Sequence, residues 1–221
     1  MLRYKISLLF LLIVGICSFN FVEAKDNNLE LLGKIIYIDP GHGYPDPGAI
    51  YKDIKESEIN LKISEKIKNE LEKLGATVYL TRYGDYDLSL PNAINRKRSD
   101  LSRRGNIINK SNCDIYVSIH LNSEVSSSWH GAQVFYDDVN PENENIASIM
   151  QEELKKNLKT TREAKLNNDV YLSKRVKVPG VLIEVGFISN PNERYLLKQD
   201  NYQQKVAITI TNGIKKYLLS K

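Results

Sequence analysis

Four polar residues, His42, Glu56, His120 and Glu184, stand where apolar runs turn polar. His42 lies in YIDPGHGYPDPG, directly after a strand-like run, between Gly41 and Gly43, which allow a sharp turn and leave the imidazole uncrowded. His120 closes DIYVSIH in the same way. Sites in open α/β sheets gather beyond the carboxyl ends of strands, so these imidazoles can share one crevice although 78 residues separate them. A single histidine at a strand end is often structural; two with the same placement point to a metal.

Helical geometry selects a third ligand. At about 100° per residue, Glu56 falls within roughly 20° of Ile63, Ile67 and Leu74, whereas Glu58 is turned about 140° from Ile63 and faces solvent. An inward carboxylate in a first helical turn calls for a partner or a metal, with stabilisation by the helix dipole as the alternative. His130 is the rival ligand, but it follows Ser-Ser-Ser-Trp and reads as a surface residue. Two histidines and a glutamate, with water in the fourth position, form a recognised catalytic zinc arrangement. Glu184 interrupts the apolar VLIEVGF, where an unpaired carboxylate is costly. Beside a metal-activated water it can take a proton and return it to a leaving amine; a buried salt bridge, for instance with Arg104, is the alternative.

These residues need a scaffold that brings distant strand ends together. Runs rich in β-branched residues recur at KIIYID, TVYLT, DIYVSIH, AQVFY and VLIEVGF, with helical spacing between most of them. The alternation predicts an α/β fold, a single domain with a twisted, mostly parallel or mixed β-sheet flanked by helices on both faces. Helices are expected near residues 56–74, 93–110, 143–159, 192–198 and 201–219, with Asn192 and Asn201 as caps and Gly75 as the stop after the first. The polar stretch from Tyr83 to Leu101 carries Arg96, Lys97 and Arg98; it reads as a solvated loop and helix start, or more sharply as a rim meeting acidic groups of a substrate.

With 221 residues, 42% of them hydrophobic, the chain can bury one sizeable core. Arg3 and Lys5 precede the apolar run Ile6 to Val22, and Ala24 follows, so residues 1–24 read as a signal peptide or signal anchor and the protein as exported and extracytoplasmic, with residues 6–22 as the anchor if the segment is kept. Residues 25–33 form a short linker and residues 34–221 the catalytic domain. Bulky Ile16 before Cys17 disfavours lipidation. Beyond the signal Cys113 is the only cysteine, which excludes an internal disulfide and fits a buried hydrophobe. Loss of residues 1–24 moves the net charge from +4 to +3, a mild excess that does not argue for nucleic acid.

DPGHG at His42, ESEINL at Glu56, VSIHLN at His120 and LIEVGFISNP at Glu184, in this order, resemble the zinc-dependent N-acetylmuramoyl-L-alanine amidases, over roughly Lys34 to Leu219. The resemblance implies one catalytic Zn²⁺ held by His42, Glu56 and His120, Glu184 as the catalytic carboxylate, and peptidoglycan as substrate, with Asn122 and Arg104 as candidate substrate contacts. SIHLNSEVSSSWHGAQVFY, NLKTTREAK and the basic stretch before SRRGNIIN resemble the germination-specific branch of endospore formers. That branch implies action in the spore cortex as a first step toward muramic δ-lactam, beside a muramic acid deacetylase, in the cell wall or forespore intermembrane space. Tyr44, where a second glycine is common, and Leu121 and Ser123 around Asn122 depart from the usual pattern and bear on pocket shape. Some members carry an inserted helix that covers the zinc until an activator releases it; only 63 residues separate His120 from Glu184, which favours an open groove, with an accessory protein still compatible. Two other readings stand beside the amidase: a zinc peptidase cutting within the stem peptide, and a non-catalytic peptidoglycan-binding protein.

Overall fold

The structure, a computed structural model, describes residues 29–221; residues 1–28, which hold the expected export segment and the start of the linker, lie outside the described residues. Its strands are β1 (Ile35–Pro40), β2 (Ile50–Tyr51), β3 (Ile54–Lys55), β4 (Thr77–Leu80), β5 (Ile115–Asn122), β6 (Gln133–Tyr136), β7 (Lys165–Leu166) and β8 (Gly180–Phe187). Its helices are α1 (Glu56–Lys73), α2 (Arg96–Lys110), α3 (Asn143–Leu158), α4 (Pro191–Leu197) and α5 (Asp200–Leu219). Six strands form one sheet in the order β4-β1-β5-β8-β6-β7, and β2 and β3 pair as a small separate hairpin. Strands β4, β1, β5 and β8 run parallel, and β6 enters antiparallel to β8, so the sheet is mixed as the alternation of elements predicts.

The period of two in each strand divides the molecule into a thick and a thin side. Ile36 and Ile38 of β1, Ile115, Val117 and Ile119 of β5, and Val181, Ile183 and Val185 of β8 enter one large core cluster. Helices α1, α3 and α5 cover that side and pack on one another. Ile63, Ile67 and Leu71 form the buried stripe of α1, with no exposed surface. Each such side chain contributes roughly 1.5–3 kcal/mol of burial, so Ile63→Ala would cost about 2–5 kcal/mol. On the opposite side Ile35, Tyr37 and Tyr116 meet Ile108 of α2 together with Leu172 and Val176 in a much smaller cluster. One helix does not cover the face of a six-stranded sheet: of the polar residues on it, Asp39 and Ser118 are buried, Asp39 against Arg104 of α2, whereas His120 and Glu184 are half-buried.

Helix boundaries follow local chemistry. Asn95 caps α2 by accepting from the Arg98 N–H at 2.9 Å, so the helix begins at Arg96 and not near residue 93. The cap of α4 is Asn190, whose side chain accepts from the N–H groups of Asn192 and Glu193, rather than Asn192: Pro191 occupies the first helical position, and the capping residue must precede it. Asn201 lies inside α5, whose first turn follows extended Gln199 without a side-chain cap. After α1, Gly75 at φ +88 reverses the chain, as its position predicts. The two-residue strands β2, β3 and β7 are too short to leave a periodic trace in the sequence.

Candidate metal centre

The site forms where β1, β5 and β8 end. Parallel pairing of β5 with β8 sets His120 directly opposite Glu184, and the bond from the Gly41 N–H to the Ile119 carbonyl (3.0 Å) brings the loop after β1 against the tip of β5. That loop turns through two unusual positions, His42 at φ +63 and Gly43 at φ +134. A non-glycine residue in the left-handed region carries conformational strain, and what opposes it here is a pair of buried arginines. Arg82 donates to the carbonyls of Pro40 (3.0 Å) and Gly41 (2.9 Å), and Arg104 to those of Pro40 (2.8 Å) and His42 (2.6 Å). Three successive carbonyls are thereby held, and the direction of the His42 side chain is fixed.

His42, Glu56 and His120 converge: one potential ligand atom from each lies within 4.8 Å of the others. His42 Nε2 stands 3.2 Å, and His120 Nδ1 3.0 Å, from the same oxygen, Glu56 Oε1. The two rings meet edge to face with centroids 4.9 Å apart. The other nitrogen of His42, Nδ1, lies 2.9 Å from Asp46 Oδ2, a carboxylate–imidazole pair of the kind that orients metal-bound histidines. Glu56 is 3% exposed and accepts backbone N–H bonds from Ala49 (2.8 Å, to Oε2) and Leu121 (3.0 Å, to Oε1). Close glycine contacts complete the arrangement. A Cβ on Gly48, at φ +66, would stand 2.5 Å from Glu56 Oε2, and one on Gly41 would stand 2.3 Å from the His120 ring.

Burial opposes the charge on Glu56, but hydrogen bonds from His120 and His42 hold its carboxyl far below the ordinary range. Burial likewise works against a charged His42, and the bonds to Glu56 and Asp46 reverse the effect and raise it. Glu184 differs: burial raises it to about 7, and its Oε2 is sealed from solvent without a hydrogen-bond partner. A nitrogen–nitrogen–carboxylate donor set beside an orphaned carboxyl oxygen fits a zinc ion with an activated water.

The alternative reading of Glu184 as an ion pair with Arg104 does not hold. Arg104, 1% exposed, binds Asp39 at 2.9 Å and Asp100 at 2.9 and 3.0 Å. Its guanidinium is committed to those carboxylates and to the carbonyls of Pro40 and His42. Asn122 ends β5 half-buried, two residues beyond His120. Glu58 and His130 are exposed and outside the cluster, as the sequence predicts. Sequence reasoning did not single out Asp46, Arg82, Asp39 or Asp100; the one available signal was Asp46, four residues after His42 in DPGHGYPD.

A cleft of about 290 Å³ opens beside the two histidines, between α2 and residues 169–172, with Lys97, Leu101, Tyr171 and Leu182 on its walls. Among the described residues, α3, the one α-helix between His120 and Glu184, does not cover it but packs on the thick side against α5.

Residues 36–216 match the family described as N-acetylmuramoyl-L-alanine amidase. The chain is 45% identical over 201 residues to the germination-specific N-acetylmuramoyl-L-alanine amidase of Bacillus subtilis strain 168, covering 89% of this chain and 85% of that protein. Among solved structures, the CwlD amidase of Clostridioides difficile, determined in complex with the GerS lipoprotein, superposes with a TM-score of 0.81 at 39% identity, covering 85% of this chain and 100% of that one. An N-acetylmuramoyl-L-alanine amidase of Clostridium difficile 630 gives a TM-score of 0.77 at 29% identity, over 85% of this chain and 98% of that one.

Proposed function

The chain belongs to the N-acetylmuramoyl-L-alanine amidase family, and from that premise we propose that it hydrolyses the amide between the lactyl group of N-acetylmuramic acid and L-alanine in peptidoglycan, with one zinc ion held by His42, Glu56 and His120. The observation that carries this reading is the convergence of those three side chains beside Glu184, whose Oε2 has no partner in the protein. Bound there, zinc would polarise the amide carbonyl and acidify an attacking water. His42 and His120 would each supply a ring nitrogen to it, with His42 oriented through Asp46, and Glu56 would supply a carboxylate fixed by two backbone N–H groups. Glu184 accepts a proton from the water and donates it to the amine nitrogen of L-alanine as the C–N bond breaks. No residue of the chain forms a covalent intermediate. The uncovered sheet face supplies the open groove that a polymeric substrate requires.

The similarity to the germination-specific enzyme supports action on spore cortex as the first step toward muramic δ-lactam, with a muramic acid deacetylase acting on the product. Export directed by residues 1–24 brings the domain to that compartment. The similarity to CwlD, crystallised with GerS, supports an accessory protein as a partner. Metal analysis checks the ligands: the wild-type and Glu184→Gln proteins retain one zinc each, whereas His42→Ala, Glu56→Gln and His120→Ala lose it. Retention of zinc by Glu56→Gln together with its loss from Glu58→Gln would reassign the third ligand. Cortex from spores that lack the protein should contain no muramic δ-lactam.

A further inference from the structure

The first turn of α2 holds three consecutive cations, Arg96, Lys97 and Arg98, and no acidic residue. This opposes the helix dipole and disfavours the helix, so a role outside local stability is called for. The structure separates the three. Arg96 is held by Asp87 through two bonds of 2.8 and 2.9 Å. Lys97 has no salt-bridge partner among the described residues and lines two neighbouring recesses, the 290 Å³ cleft at the histidines and a further hollow of about 270 Å³ that also contains Arg98. Tyr171 and Leu101 line both as well, so the recesses make one trough running from the histidines along α2. Tyr171 carries cations around its ring: Arg175 lies 4.4 Å from the ring centroid, and Arg98 lies 5.8 Å from it while donating to its hydroxyl at 3.1 Å.

Most acids that share the trough are already engaged. Asp39 and Asp100 are paired with Arg104, and Asp46 serves His42 and the Gly48 N–H while also feeling the charge of Lys97 without an ion-pair contact. Exposed Asp169 remains against Lys97 and Arg98, with Arg175 on the Tyr171 ring beside them, so the charge is net positive, above an apolar floor that includes Leu101, Leu172 and Leu182. We infer that this trough is a specificity subsite for the peptide side of the scissile amide: small apolar side chains rest on the leucines, and Lys97 and Arg98 bind a free backbone carboxylate one residue beyond the alanine. The inference rests on the amidase reading for the identity of the peptide. It implies that amidation of that carboxylate weakens binding, whereas the histidine–glutamate centre alone would not distinguish the two forms.

Calorimetric titration of the zinc-loaded full chain with L-alanyl-γ-D-glutamyl peptide and with its α-amide tests it. The wild type should prefer the free acid about five-fold or more, as two partly shielded charge-assisted bonds allow. The Lys97→Ala/Arg98→Ala protein should bind both forms within about two-fold, whereas Arg96→Ala, which removes one cation from the same turn but one that faces Asp87, should keep the preference. Equal binding of both forms by the wild type, or loss of the preference in Arg96→Ala as in the double variant, would overturn the subsite. Product analysis separates this from the amidase reading: cleavage at lactyl–L-alanine without any acid preference removes only the subsite, and an acid preference without that cleavage removes only the amidase.

Discussion

At the scale of single residues, Glu184, the carboxylate proposed to move the proton, also costs the folded protein stability. Its carboxyl is raised from the ordinary value to about 7 in the folded protein, so the folded state binds this proton more tightly than the unfolded chain does. Folding therefore weakens as pH rises from about 4.5 to about 7, by on the order of 3 kcal/mol in total, and the loss is complete above that range. Metal-free Glu184→Gln should accordingly melt higher than the metal-free wild type at pH 8, with little difference at pH 4, while the zinc-loaded variant loses about 10²-fold or more of its turnover. Equal melting at both pH values would show that Glu184 is solvated in the folded protein. Asp46→Ala leaves the ligands in place but frees the His42 ring, so zinc affinity should fall about 10- to 100-fold in a competition titration with a chelating dye. Gly48→Ala places a methyl 2.5 Å from Glu56 Oε2 at a positive φ, and it should lower zinc content while α1 still forms, as circular dichroism would report. Residues that chemistry forces into apolar runs were legible in the sequence: His42, Glu56, His120 and Glu184 each interrupt a pattern. Arg82 and Asp100 interrupt nothing, because a polar residue in a polar stretch carries no signal until the fold supplies its partner, and Asp46 is marked only by its spacing of four from His42.

At the scale of elements, the loop that carries His42 owes its shape to α2 and to Arg82, two residues past β4. Arg104 on α2 joins Asp39 of β1, Asp100 of its own helix and the His42 carbonyl. Arg104→Ala would strand two buried carboxylates and release the loop, costing about 3–5 kcal/mol by urea unfolding and reducing zinc binding as well. If the variant were as stable as the wild type, the network would not be what holds His42 in the left-handed region. Asn190→Ala removes the side-chain cap of α4 and should cost about 1 kcal/mol, seen as a small fall in melting temperature without loss of zinc. The helices and the five longer strands follow from periodicity and the glycine stop, whereas the caps of α4 and α5 were misplaced by two residues where proline or an uncapped turn set the boundary. Which side of the sheet receives only α2 was not legible. Ile35–Pro40 reads as strand in either orientation, and the covered and open faces emerge only when all helices are placed.

At the scale of the whole molecule, one thick and one thin layer place a polar strip of the sheet beside an open trough, and the His42–Glu56–His120 cluster sits at its end. Zinc binds the folded state alone if its three ligands are assembled only there, so removing it with a chelator should lower the melting temperature, and restoring it at 100 times its dissociation constant should return about 2.7 kcal/mol. An unchanged melting temperature would mean that the cluster holds no ion. The central claim is which bond is cut, and mass spectrometry of peptidoglycan digested by the zinc-loaded protein, beside chelated and Glu184→Gln samples, addresses it most directly. The account predicts intact stem peptides with free L-alanine amino termini, released by the zinc-loaded wild type alone. New amino termini inside the stem peptide, or release that persists in the chelated sample, would contradict it.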